Sequence, residues 1–311
     1  MFQTKRPALP VVGLITSLLI LLTAQTAFAQ DDAKTLLSYS PDDVGAVFGM
    51  NLGEAKSSTF YKEGLKLLKT APEYQDALGK LQKSTDINLE KDIHAVVAFT
   101  PKPTSSGDDT AVVILSGKFN KEKIVANAKK EGSTTRQLDK LTIYSAGDTG
   151  EFTLLSDKLL VIVTGKETFR NTALNSFKKK SKSQPKALKS LVKHVDTSKH
   201  LWFSVNTSNV SKTDDQPTHV AMTLDFSKGL TLNGWARMKS EEGAKKALEE
   251  YAKNKEQLEG GAAMIGAPSF AKNLKITNTK NAIKVSSSMP DKEVKAVLNW
   301  AQAMIESQNR K

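Results

Sequence analysis

The chain has 311 residues, carries 45 Lys and Arg against 33 Asp and Glu for a net charge of +12, and contains no cysteine. That length holds one large domain or two ordinary ones. The missing cysteines exclude disulfides, thiolate metal sites, thiol nucleophiles and lipid attachment at a cysteine, while the positive balance favours anionic partners or simply keeps the protein soluble.

Lys5 and Arg6, the apolar run Val11 to Leu22 and the small residues of Ala27-Phe28-Ala29 before Gln30 form the pattern of a cleavable secretory signal. The run is short for a bilayer span of about 20 residues, and no later segment is long enough to be one. Residues 1–29 are therefore expected to be a signal peptide. The expected product is an exported, periplasmic or extracellular chain that keeps +10 of the +12 charge.

Residues 30–40 read as a short exposed leader. Val44 to Leu52 predicts a strand, and a helical stretch from Phe60 is split by Pro72, with Tyr74, Ala77, Leu78 and Leu81 on one stripe of its second part. Apolar runs at Ile93–Phe99 and Ala111–Leu115 flank a loop at Pro101–Asp109. Asn120 fits as the N-cap of a short helix carrying Ile124, Val125 and Ala128. Strands are expected at Leu141–Tyr144, Phe152–Leu155 and Leu159–Val163, and a helix at Lys166–Phe177.

Lys178 to Lys193 contains lysines 178, 179, 180, 182, 186, 189 and 193 and no acid. Its first part reads as a linker. Its second part places Leu188, Leu191, Val192 and Val195 opposite Lys186, Lys189 and Lys193, as in a short amphipathic basic helix. Beyond it, apolar residues alternate in Leu201–Asn206, His219–Phe226 and Leu230–Lys239, which argues for antiparallel strands with one wetter face. Ser240 caps a helix with Glu241 and Glu242 in its first turn, and Gly260-Gly261 reads as a break. A hairpin at Leu274–Thr277 and Ile283–Ser287 and a helix from Pro290 close the chain.

These elements make an α+β fold of two similar halves, each an antiparallel sheet with helices packed on one face. The N-terminal domain would span 41–178, a basic linker and short helix 179–198, and the C-terminal domain 199–311.

The stretch Leu37-Ser-Tyr-Ser-Pro-Asp-Asp-Val-Gly-Ala-Val-Phe-Gly-Met-Asn-Leu52 resembles the opening of certain exported bacterial proteins of unknown function with a tandem α+β architecture. Ile87 to Ile93 before a strand, and Gly117-Lys118-Phe119 leading into a helix, fit the same pattern. The resemblance covers mainly residues 35–165. It implies an α+β fold and a cell-envelope setting, and it carries no site residue.

Chemical motifs are sparse. His94, His194, His200 and His219 match no His-Glu-x-x-His spacing, and no Gly-x-Ser-x-Gly elbow, phosphate loop or dinucleotide glycine pattern occurs. The Asp pairs at 42–43, 108–109 and 214–215 read as turn and cap residues. No catalytic, metal or cofactor residue is assigned, and no cofactor is expected. Carboxylates brought together only by the fold could still make a hydrolase.

Two features suit binding. Trp202, His219, Trp235 and Arg237 lie opposite the core residues of their strands. They form either an aromatic-cationic platform for sugars or anions or ordinary packing under helices, with Gly234 making room for the Trp235 ring. Lys178, Lys179, Lys180, Lys182, Lys186, Lys189 and Lys193 form either an anion-docking element or a solvated face. The expected protein is a non-enzymatic binding or scaffolding protein of the bacterial envelope. The alternatives are a binder of anionic polymer or anionic lipid surface through residues 178–193, and a carboxylate-dependent hydrolase. Partners would be an anionic polymer, a lipid surface or an envelope protein. Nucleic acid fits poorly, because the lysine segment lacks interleaved aromatics, and nothing in the sequence sets an oligomeric state.

Overall fold

A computed structural model of the chain describes residues 32–70, 75, 87–102, 110–146, 150–177, 184–211 and 213–308. The signal segment, the Pro72 split with its stripe, most of the 101–109 loop and Lys178, Lys179, Lys180 and Lys182 lie outside these residues.

Twelve strands form one open sheet: β1 (Ala46–Asn51), β2 (Ile93–Thr100), β3 (Ala111–Gly117), β4 (Thr135–Leu138), β5 (Leu141–Ala146), β6 (Gly150–Leu154), β7 (Leu159–Thr164), β8 (Leu201–Asn206), β9 (Pro217–Asp225), β10 (Leu230–Met238), β11 (Lys275–Thr279) and β12 (Ala282–Met289). Their order is β11-β12-β10-β9-β8-β1-β2-β3-β7-β6-β5-β4. The α+β class and the antiparallel pairing are as the alternation predicts. The strands expected of two halves share a single sheet, joined where β1 pairs β8 from Ala46 opposite Val205 to Met50 opposite Leu201. Outward from that seam each side runs through a three-strand meander, then a strand returning from a later hairpin, β7 beside β3 and β12 beside β10.

The two sides of the seam are roofed differently. On one face, Val97, Phe99, Val112, Ile114, Val161 and Val163 pack against Ala173 and Leu174 of helix Glu167–Ser176 and Leu188 and Leu191 of helix Lys186–Val192. On the other, Val96, Ala98, Val113, Leu115 and Leu160 meet Ile124 of helix Lys121–Lys130 and Tyr61 and Leu65 of helix Thr59–Leu68. Helices were expected on one face only; here they cover both. The physical reason is visible in Ile93–Phe99 and Ala111–Leu115, whose apolar residues run continuously instead of alternating, as two-sided burial requires.

On the outer strands beyond the seam, β10, β12 and β11, helices roof only one face. Ala244, Ala247 and Leu248 of helix Glu241–Met264 cover Met238, Ile283 and Val285. Val294, Val297 and Leu298 of helix Asp291–Gln308 cover Leu224, Leu230 and Met289.

Three local expectations need correction. The leader is packed on the sheet along one side: Ala33, Leu36 and Leu37 are at most 1% exposed and the Ala33 N–H donates to Asn51 Oδ1 at 2.7 Å, while Asp32, Lys34, Thr35 and Ser38 face solvent. The Gly260-Gly261 break is absent, and the helix runs on to Met264. A helical glycine costs only about 1 kcal/mol relative to alanine. The stop comes at Gly266, with φ +82°, where the Ala267 N–H reaches back to Ala262 O at 2.8 Å. Strand β4 was missed because Thr-Arg-Gln-Leu alternates weakly; it is held by pairing to β5 and by Arg136, which grips Glu151 of β6 through two 2.8 Å hydrogen bonds.

Candidate functional site

Helix Lys186–Val192 begins at Pro185 and buries Leu188 and Leu191 against β1 and β8, while Lys186, Lys189 and Lys193 stay exposed. The chain after it is strapped to the sheet. The Asp196 N–H donates to Thr223 Oγ1 at 3.0 Å, and Asn51 Nδ2 donates to Thr197 O at 3.0 Å and Lys199 O at 2.8 Å. This strap shields Ser204, Ala221 and Thr223 from water.

At the strap's outer margin the His194 ring stacks on Trp235, with centroids 3.5 Å apart and planes 7° off parallel. His219 meets Trp235 edge-on at 5.1 Å and stands 6.0 Å from His194. The Arg237 guanidinium lies 5.4 Å from the Trp235 ring centre. Thus Trp235, His219 and Arg237 do gather, but His194 covers the indole and leaves it 8% exposed. Trp202 is 0% exposed; its ring lies over Gly49, where a Cβ would come within 2.0 Å of the indole. The glycine that makes room for a ring is therefore Gly49. A Cβ on Gly234 would find only ordinary contact, 3.5 Å from Val285.

His219 Nε2 is hydrogen-bonded to Ser204 Oγ at 2.7 Å. The pair has the reach of a nucleophile and its base, yet Ser204 is 0% exposed, so no substrate can reach the hydroxyl. Burial, then the neighbouring His194 and Arg237, push His219 down to about 4. Burial, then Lys193, Arg237 and Lys284, hold His194 below the ordinary histidine range. Both rings are thus neutral at pH 7. Through the His194–Trp235 stack the structure brings Lys193, the last lysine of the basic segment, to the Trp235–Arg237 patch.

Past Trp235 the sheet lies open. No Asp or Glu occurs in β10, β11 or β12. Their shared register places Arg237, Ala282 and Thr279 in one cross-strand row, Trp235, Lys284 and Thr277 in the next, and Asn233, Ser286 and Lys275 in the third. All of these side chains project from the face opposite the one covered by helix Glu241–Met264. Asn233, Arg237, Lys275, Thr277, Thr279 and Lys284 are exposed. Lys275 and Lys284 are not among the sequence candidates, although Lys284 lies between the buried Ile283 and the half-buried Val285 in the period-two pattern that marks an outward residue.

Other candidates are weaker. Among the described residues no three His, Asp or Glu side chains are grouped to hold a metal ion. His200 accepts a hydrogen bond at Nδ1 from the Phe226 N–H at 2.9 Å and stacks on that ring, a packing role. A 730 Å³ cavity between Asp42-Asp43 and helix Glu167–Ser176 is lined by Phe169, Thr168, Thr172 and Asn175; both aspartates are exposed. Among the described residues no helix is long and apolar enough to cross a membrane.

No family model matches this chain, and no curated protein matches it in sequence. Among solved structures there is a weak structural resemblance to TP0453. Crystal form III superposes with a TM-score of 0.46 at 6% identity, covering 86% of this chain and 97% of that one. Crystal form IV gives 0.45 at 7% identity, with 87% and 97% covered.

Proposed function

We propose that this is an exported, non-enzymatic binding protein of the bacterial envelope, and that its ligand is a polyanion held on the open face of β10, β12 and β11. The observation that carries the reading is the composition of that face: Arg237, Lys284 and Lys275 with no carboxylate on any of the three strands. Cations without local counter-charges attract anions strongly at low ionic strength, and the attraction is screened over about 8 Å at physiological salt. The exposed Lys193 adjoins His194, which stacks on Trp235, and adds to the positive charge beside this face. The signal-like pattern of residues 1–29 and the net charge of +12 support the same reading.

The test is retention on immobilised heparin across a salt series. Wild-type protein should bind at low salt and elute near or below physiological ionic strength. The triple variant R237Q/K275Q/K284Q should pass through unretained with an unchanged thermal midpoint, since all three side chains are solvent-exposed. Salt-insensitive retention, or a triple variant that binds like wild type, would overturn the proposal.

A further inference from the structure

The arrangement of the three cations says more about the ligand than their number does. Arg237, Lys284 and Lys275 sit on adjacent strands, and each step to the next strand also moves two residues along it. On an antiparallel sheet such diagonal neighbours lie about 7–8 Å apart at Cβ. The cations therefore form an oblique line spanning about 15 Å, with one charge per strand. Two of the positions flanking the line are apolar, Ala282 and Trp235, the latter covered by His194; the others are polar. Asn233 and Ser286 stand in the row of Lys275, Thr277 beside Lys284, and Thr279 in the row of Arg237.

We infer that the site takes an acidic polysaccharide, laid in extended form across the strands along Arg237, Lys284 and Lys275. This inference rests on the polyanion reading above and sharpens it. A compact anion would engage one cation and leave the others idle, since no two are direct cross-strand partners. A polyphosphate carries charge at every unit and has no use for the hydroxyl and amide groups between the lysines. A polysaccharide with charges separated by neutral sugar offers both carboxylate or sulfate groups and hydroxyls, which match the alternating Lys/Arg and Thr, Ser and Asn side chains. A bilayer fits this face poorly, because its exposed side chains include no large apolar group. The exposed Leu258, Met264, Trp300 and Met304 belong to the two long helices packed on the opposite face. The ends of the line are defined as well: β11 is the sheet edge, and the His194 strap stands beside Trp235, so the polymer enters over the edge strand and runs toward Lys193.

The experiment measures affinity of the full chain for size-defined heparin oligosaccharides, for inorganic phosphate and sulfate, for polyphosphate and for anionic phospholipid vesicles, each across a salt series. Oligosaccharide affinity should rise with length until the chain spans the three cations and then level off. R237Q, K284Q and K275Q should each reduce the slope of log K against log salt by about one. T277V should weaken oligosaccharide binding several-fold without changing that slope. Retention that depends on Arg237 and Lys284 but not on Lys275 would overturn the oblique track while leaving polyanion binding intact. Tighter binding of polyphosphate or vesicles than of oligosaccharide, or free sulfate binding as tightly as the oligomer, would overturn the ligand assignment. No binding by any anion would overturn the polyanion reading itself.

Discussion

Strands β2 and β3 on one side of the β1–β8 seam, and β10 and β12 on the other, have the same antiparallel pairing and opposite relations to water. In β2 seven of eight positions are buried, and in β3 all seven. In β10 and β12 burial falls on isolated positions such as Leu230, Trp235, Ile283 and Met289. The difference arises from what the chain places over each face. Helices packed on both sides turn β2 and β3 into the middle of a three-layer core, whereas helix Glu241–Met264 and its neighbours cover only one side of β10 and β12. A sheet face left without a roof needs no apolar residues, so it is free to carry chemistry. In this protein it carries three cations and a set of hydroxyls and amides.

This contrast can be broken first at its two extremes. Phe99→Ala removes a fully buried ring from the three-layer side and should cost about 4 kcal/mol. Thr277→Ala, on the open face, should stay within about 0.5 kcal/mol of wild type. Urea unfolding of both variants measures the gap, and equal losses would mean that the open face is covered in solution. A finer comparison uses two glycines. A methyl at Gly49 collides with the Trp202 indole at 2.0 Å, so Gly49→Ala should destabilise by about 3 kcal/mol. Gly234→Ala meets only ordinary contacts and should be neutral or slightly stabilising through the unfolded state.

A third comparison separates the strap from the three-layer core by pH. All four histidines are held below their ordinary range, with burial the leading cause for each. A histidine whose folded value is depressed binds its proton more readily when unfolded. Its neutral form therefore supports folding fully above about pH 6.5, and that support is lost as the pH falls. For His219 the loss continues down to its folded value of about 4 and amounts to something on the order of 2 kcal/mol. His219→Gln should flatten this part of the stability–pH curve measured by denaturant midpoints. His94, on β2 and 4% exposed with both ring nitrogens lacking a hydrogen-bond partner, should leave a residual slope in that variant. A curve unchanged by His219→Gln would place the acid-sensitive group elsewhere.

Much of this architecture could be read from residue order. Alternation in Leu201–Asn206, His219–Phe226 and Leu230–Lys239 locates β8, β9 and β10, but it assigns the faces of β8 and β9 the wrong way. Trp202, Ser204, His219, Ala221 and Thr223, which the pattern puts on the wetter side, are buried, while Leu201, Phe203, Val205, Val220, Met222 and Leu224 are only half-buried. The reason is that helix Lys186–Val192 and the strap after it cover that side. Asn120 and Ser240 marked the starts of two helices, and both side chains accept the capping hydrogen bonds from Lys123 and Gly243. Pairing across long separations left no local trace. Nothing near Gly49 announces that Trp202 will lie on it, and nothing in Lys193-His194 announces a stack on Trp235. The cationic line is of the same kind: Arg237, Lys284 and Lys275 become neighbours only through the register of three strands, two of them reached after a 24-residue helix. The lysine cluster that stands out in the sequence is contiguous in the chain, while the one that stands out on the sheet is assembled from distant segments.

The seam also sets an order of events. As the chain emerges from its N-terminus, β2 and β3 arrive soon after β1 and can zip onto one of its edges. The other edge waits for β8, whose Leu201 to Val205 pair with Met50 to Ala46. Until then β1 offers an unpaired rim with the Gly49 notch empty, and such rims recruit other strands. The closing contact is thus a late one of high sequence separation, which slows folding. Insertion of the Trp202 indole over Gly49 marks its completion, so the fluorescence of this buried tryptophan becomes a clock for the moment when the two sides of the sheet become one molecule.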